Sequence, residues 1–177
     1  MPEKGLIHLY YGDGKGKTSA ALGLALRAAG SGKNVVIVQF LKGWKCGEQN
    51  SIPMLSNIQL LCAKPVNNKF VKDMDDKEKQ LTKTSQTECL DKAADLVNKG
   101  MCDVLILDEI LDACDMGVMD EEIYKKIIVE KPDFLELVIT GHKPDTWLLE
   151  EANYVTEMIK HKHPYDEGIN ARKGIEF

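Results

Sequence analysis

Gly12-Asp-Gly-Lys-Gly-Lys-Thr18 is the segment from which the architecture of this chain can be built. It follows an apolar run (Leu6, Ile7, Leu9, Tyr10) and opens a small-residue helical pattern from Thr18 to Ala29. Strand, glycine loop and helix in that order are the setting a phosphate-binding loop needs. Glycines let the chain turn with its amides inward, so several N–H groups converge on phosphate oxygens. Lys17 adds a point charge, and the Thr18 hydroxyl is placed for a magnesium ion. The predicted nucleotide-binding set is Gly12, Asp13, Gly14, Lys15, Gly16, Lys17, Thr18 and Ser19. One detail departs from the usual loop: three residues, not four, lie between Gly12 and the Gly16-Lys-Thr.

Outward from the loop, apolar β-branched runs recur at Leu6–Tyr11, Asn34–Phe40, Ile58–Cys62, Val104–Leu107, Leu135–Thr140 and Tyr154–Ile159. Val35-Val-Ile-Val38 and Val104-Leu-Ile-Leu107 are continuous rather than alternating, which suits strands buried on both faces of a parallel sheet. Helical patterns fall between them. Thr18–Ala29 ends near Gly30 and Gly32, Asp75–Lys99 carries one apolar stripe and stops at Gly100, and shorter helices are predicted over Asp120–Val129 and Pro144–Ala152. Asp120 is the expected cap of the third of these. The alternation predicts one α/β domain over residues 1–177, a three-layer sandwich on a mostly parallel sheet of the P-loop nucleotide hydrolase (RecA-like) kind.

The composition narrows the partners. A chain of 177 residues with a net charge of −5 has no basic excess to neutralise nucleic acid. Its five cysteines lie at least twelve residues apart, without C-x-x-C spacing, as expected for thiols in a reducing cytoplasm. No run approaches ~18 apolar residues and no signal core is evident, so neither membrane nor export is expected.

A second signal is Asp103-Val-Leu-Ile-Leu-Asp108-Glu109, an apolar strand ending in two carboxylates. Strand carboxyl ends line the crevice of an open α/β sheet, so Asp108 and Glu109 should face Lys17 and Thr18. Thr18, Asp108 and Glu109 form the predicted magnesium set, and Lys17 and Glu109 the predicted catalytic pair. Arg27, ten residues past Lys17, serves either a phosphate or the solvated face of the first helix; spacing alone favours the solvated face.

Three blocks resemble the ATP:corrinoid adenosyltransferases of the cob(I)alamin type. The first runs from Tyr11 through the loop to Arg27 and on through Gly32–Gly43 and Gly47–Asn50. The second is Leu107-Asp-Glu-Ile110. The third covers Val138–His142 and His163–Phe177. The resemblance spans most of the chain and includes the shortened loop. It implies transfer of the 5′-deoxyadenosyl group of ATP to the cobalt(I) of a reduced corrinoid, with release of triphosphate, in a homodimer that draws electrons from a reductant, for which a protein is one candidate. It also implies a nucleotide lying in reverse of the usual sense, and places Arg27 near the phosphates. The family's aromatic pair before the long helix is represented here by Phe70 alone, and the family's longer amino-terminal extension has no counterpart. Trp44, in the loop after the second strand, joins Phe70 as a corrinoid candidate; anchoring of that loop is an equal reading. The competing functions are a P-loop phosphotransferase or ATPase and a non-catalytic, nucleotide-gated corrinoid-binding protein. His161 and His163 suggest a metal pair only if a third ligand exists, and none is evident. His8 and Trp147 are expected to be structural.

Overall fold

A computed structural model describes residues 4–43, 45–63 and 69–177. Six strands form one sheet: β1 (Ile7–Tyr11), β2 (Val35–Gln39), β3 (Ile58–Cys62), β4 (Val104–Asp108), β5 (Glu136–Gly141) and β6 (Tyr154–Glu157). Their order is β3-β2-β4-β5-β1-β6 and every pairing is parallel, where the sequence predicted a mostly parallel sheet. Among the described residues six α-helices connect or flank them: α1 (Lys17–Gly30), α2 (Glu48–Ser51), α3 (Asp76–Asn98), α4 (Ile110–Asp115), α5 (Glu121–Val129) and α6 (Thr146–Glu151).

The continuous apolar runs are what allow two covered faces. In β2 and β4 every residue is buried. Val36, Val38, Leu105, Leu107, Leu137 and Ile139 belong to a core closed by α3 to α6. The alternating set Val35, Ile37, Val104, Ile106 and Val138 packs instead against α1. That helix presents Ala21, Ala25 and Ala28, a small-residue stripe that lets its backbone lie close to the sheet. Fully buried side chains such as Leu107 and Ile106 each carry stability of about 2–5 kcal/mol against truncation to alanine.

Helix starts follow the predicted chemistry. Asp75 caps α3 in a reciprocal box with Glu78, and the Asp120 carboxylate accepts from the Glu122 amide at the start of α5. By contrast α1 begins at Gly16 with no side-chain cap, so its first amides are left for a ligand. The strand expected over Tyr154–Ile159 stops at Glu157, because the Met158 carbonyl turns to accept from the Gly14 amide at 2.7 Å. His161 and His163 therefore lie beyond the strand, not on one face of it, and His163 Nδ1 accepts from the Tyr165 amide.

All parallel strands point their carboxyl ends to one side. That edge gathers the residues after β1, β2, β4 and β5, with β5 lying between β1 and β4.

Candidate functional site

The glycine loop is fixed from both sides. Gly12 donates its amide to the His142 carbonyl at 3.1 Å and Gly14 to Met158, while Gly12 and Gly16 take φ of 111° and 121°. Those angles and the close approach explain the glycines: a Cβ on Gly14 would stand 2.6 Å from the Met158 oxygen. Asp13 points outward and accepts from the Lys160 amide at 3.0 Å, which holds its carboxyl below the usual range. Lys17 donates to the Gly12 and Gly14 carbonyls at 2.6 and 3.0 Å. Burial lowers its ammonium from the usual lysine value, against the pull of Asp112, Glu109, Asp13 and Asp108.

Thr18 and Asp108 meet as the sequence predicted. The Thr18 hydroxyl donates to Asp108 Oδ1 at 2.9 Å, and Thr140 donates to the same oxygen at 2.9 Å. Asp108 is 1% exposed, so this carboxylate is held without solvent. Glu109 follows in the left-handed region at φ 65°, its amide donating to Thr140 Oγ1. Its carboxylate is taken by Lys42, whose Nζ lies 2.8 Å from Glu109 Oε1 and 3.7 Å from Asp108 Oδ2. Burial raises the Glu109 carboxyl, with Lys42 opposing that rise. The Lys42 ammonium would be lowered by burial, but Glu109 and Asp108 outweigh it and hold the group well above the lysine range.

Leu41 and Glu109 are the non-glycine residues with left-handed backbones among the described residues. They sit just past the ends of neighbouring strands β2 and β4, on either side of the lysine–acid contact. Such conformations cost about 1–3 kcal/mol each and persist where surrounding contacts over-determine them.

Two cavities of about 570 Å³ each open at this edge. One is lined by residues 14–19, with Glu48, His142 and Glu176. The other is lined by Leu41, Phe70, Val71 and Met116, with Lys69, Lys72 and Lys79. Lys42, Cys46, Glu109, Glu176 and Phe177 line both, so the two spaces share a wall at the acid–lysine contact.

Phe70, the aromatic that the resemblance named for the corrinoid, is 57% exposed and lines the second cavity. Trp44 lies outside the described residues. Arg27 is exposed in the last turn of α1, about 15 Å along the helix from Lys17. The structure does not bring it to the loop, and the solvated position favoured by spacing is the one it occupies. His8 pairs with Glu136 at 2.5 Å and stacks on Tyr154, and Trp147 packs on the larger core.

Sequence reasoning assigned no role to Lys42, Asp112, His142 or Glu176. Asp112 stands three residues past Glu109, a helical spacing that could have marked it. Glu48, also without a role by sequence, accepts from Gln39 Nε2 at 2.9 Å and so closes the wall beside Asp108.

The donors assembled here, a threonine hydroxyl and two carboxylates, are hard oxygen ligands of the kind magnesium takes together with phosphate. Asp108 Oδ1 within 2.9 Å of Thr18 Oγ1 puts a buried carboxylate directly behind the threonine that lines the cavity at the glycine loop.

The profile of a family described as ATP:corrinoid adenosyltransferase BtuR/CobO/CobP matches residues 3–177. The chain is 32% identical over 177 residues to the corrinoid adenosyltransferase of Escherichia coli, covering 99% of this chain and 87% of that protein. It is 32% identical over 182 residues to the corrinoid adenosyltransferase CobA of Salmonella typhimurium, with coverage of 99% and 87%. Against the corrinoid adenosyltransferase of Pseudomonas aeruginosa the identity is 30% over 176 residues, with 99% and 85% covered.

Proposed function

Because this chain belongs to the ATP:corrinoid adenosyltransferase family, enzymes that move an adenosyl group onto a corrinoid, we propose that it draws the group from ATP and releases inorganic triphosphate. The observation that carries this reading is the wall shared by the two cavities. A polar space at the glycine loop suits a triphosphate, and a more apolar space behind Lys42 and Glu109 suits the face of a large, flat second substrate.

The corrinoid enters as substrate with its cobalt reduced to cobalt(I). The metal's electron pair forms the new bond to the ribose 5′-carbon, and the bond from that carbon to the triphosphate oxygen breaks. The electron pair of the broken bond leaves on triphosphate. Cobalt(I) is so strong a nucleophile that no protein base is required. The protein's task is to align two reactants and stabilise the charge of the leaving group. Loop amides other than those of Gly12 and Gly14, which the His142 and Met158 carbonyls hold, and the Lys17 ammonium supply donors at the triphosphate once Lys17 exchanges the Gly12 and Gly14 carbonyls for phosphate.

Thr18, Asp108 and Glu109 would hold magnesium, which adds positive charge at the phosphates when bound. Lys42 stands between those acids and the second cavity, where its charge also faces the departing group. The loop's missing residue supports a nucleotide seated differently from that of a phosphoryl-transfer enzyme. Family resemblance extends the proposal to a cytoplasmic homodimer supplied with electrons by a reductant protein.

The test is an anaerobic incubation of the purified chain with ATP, magnesium and chemically reduced cobalamin. The light-sensitive alkyl-cobalt spectrum and stoichiometric triphosphate are expected. ADP with phosphate, or no alkyl-cobalt product, would overturn the reading.

A further inference from the structure

The phosphate cavity has a wall that neither the glycine loop nor the Asp108–Glu109 pair supplies. His142 follows β5 and lines that cavity. Its carbonyl is fastened to the loop through the Gly12 amide, because β5 and β1 are neighbours and Gly141 pairs with Tyr11. Its ring is fastened too: Nδ1 lies 2.8 Å from Asp112 Oδ1, and its own amide reaches the same oxygen at 3.3 Å. Asp112 comes from the first turn of α4, and its side chain is 13% exposed. Among the described residues its Oδ2 is buried with no hydrogen-bond partner. A carboxylate so enclosed needs cations near it, and Asp112 is the acid that acts most strongly on Lys17.

We propose that His142 is a triphosphate-binding residue, held by Asp112 so that its second ring nitrogen, Nε2, donates to a phosphate oxygen. The chemistry follows from the contacts. A carboxylate at Nδ1 fixes a proton there, which leaves Nε2 as the ring's remaining polar atom. The His142 side chain is 60% exposed along the cavity wall, so Nε2 is open to a ligand. With Nδ1 turned to the Asp112 carboxylate, Nε2 is the ring atom that meets a polyanion in the cavity. Its hydrogen bond to a charged phosphate oxygen then adds to those of the loop amides and Lys17. Asp112 acts through His142, as a positioning residue. The inference rests on the nucleotide reading above but adds to it, since the loop, Lys17, Thr18 and Glu109 carry that reading without His142.

The experiment measures binding of inorganic triphosphate and of ATP, each with magnesium, by calorimetry on the full chain. Wild type is compared with His142→Gln, His142→Arg and Asp112→Asn. His142→Gln should weaken triphosphate by about tenfold or more, the weight of one charge-assisted hydrogen bond. His142→Arg, which restores a donor, should recover most of that loss. In parallel, nitrogen NMR of the labelled imidazole should show the Nε2 signal moving when triphosphate is added. The Nδ1 signal should differ between wild type and Asp112→Asn, a change that a role confined to packing would not produce. Equal triphosphate affinity in wild type and His142→Gln would overturn the proposal while leaving the nucleotide reading intact. Loss in both His142 variants with an unmoved imidazole signal would also overturn it, marking His142 as a clamp for Gly12. A wild-type chain that binds neither triphosphate nor ATP would overturn both readings.

Discussion

Lys42 Nζ lies 2.8 Å from Glu109 Oε1 and 3.7 Å from Asp108 Oδ2, so a lysine already neutralises the acids proposed to hold magnesium. Its side chain is 15% exposed and that of Glu109 is 30% exposed. Removing one partner of a well-buried pair costs about 3–5 kcal/mol, and partial exposure reduces that figure. Lys42→Met is expected to lower stability by about 1–2 kcal/mol without divalent ions. Magnesium should then restore the variant more than it stabilises wild type, because it replaces the missing charge. Thermal unfolding with and without magnesium checks this; equal magnesium shifts in both proteins would contradict it.

Glu109→Gln removes a negative charge while keeping the side chain's shape. The substitution should raise the magnesium concentration needed for half-maximal adenosyl transfer, with little change in fold. The carboxyl is raised by burial in wild type, so the neutral amide is no harder to enclose. A magnesium titration of the reaction rate is the measurement, and an unaltered midpoint would remove Glu109 from the metal set.

Among the described residues Lys17→Ala loses the hydrogen bonds to the Gly12 and Gly14 carbonyls and the charge facing Asp112 and Glu109, none of it in the apolar core, so the variant should fold. Its ATP affinity should fall by about tenfold to a hundredfold, the range for a charged hydrogen bond. Adenosyl transfer should fall with it. Equilibrium binding of ATP separates this outcome from loss of the chemical step alone.

Gly14→Ala places a Cβ 2.6 Å from the Met158 carbonyl that its own amide holds. Backbone stands on both sides of that contact, so either the loop or the chain after β6 must move. The expected result is a folded protein with weakened ATP binding. Unchanged ATP affinity would show that the loop tolerates a wider gap from Met158.

The sheet was legible because β2 and β4 are continuous apolar runs, a pattern that admits few positions other than a strand covered on both faces. The glycine loop was legible because its residue types answer a backbone need, positive φ at Gly12 and Gly16 and close approach at Gly14. Asp108 was legible as the last residue of a strand that had to end at the crevice. The partners that turn these residues into a site were not. Lys42 meets Glu109 where Leu41 and Glu109 both take left-handed backbones, which no propensity of leucine or glutamate foretells. Helix α4 went unseen because six residues after an acid pair give too short a period to read, and with it went Asp112. Arg27 was legible as a member of the first helix, which sets it about three turns along from Lys17.

Glu176 links the carboxyl-terminal segment to the glycine loop, accepting from Lys15 Nζ at 3.0 Å and from Arg172 at 3.1 Å. The Arg172 side chain, then its amide, then Lys15 hold the Glu176 carboxyl down at about 2, against an ordinary 4.5. For an acid whose value is lowered in the folded chain, the stabilising contribution is present above the ordinary value and is lost as pH falls through the lowered one. Docking of this segment on Lys15 should therefore hold above pH 4.5 and fail as pH falls toward about 2. The carboxyl resonance of Glu176 in labelled protein should titrate well below those of other glutamates. At neutral pH the same carboxylate occupies the phosphate cavity beside Lys15, where it repels an incoming triphosphate. Glu176→Gln removes that repulsion and frees Lys15. It should tighten ATP binding by roughly two- to fivefold, the range of an exposed ion pair. Weaker ATP binding in this variant would instead make Glu176 part of the nucleotide seat, with Lys15 held in place by it.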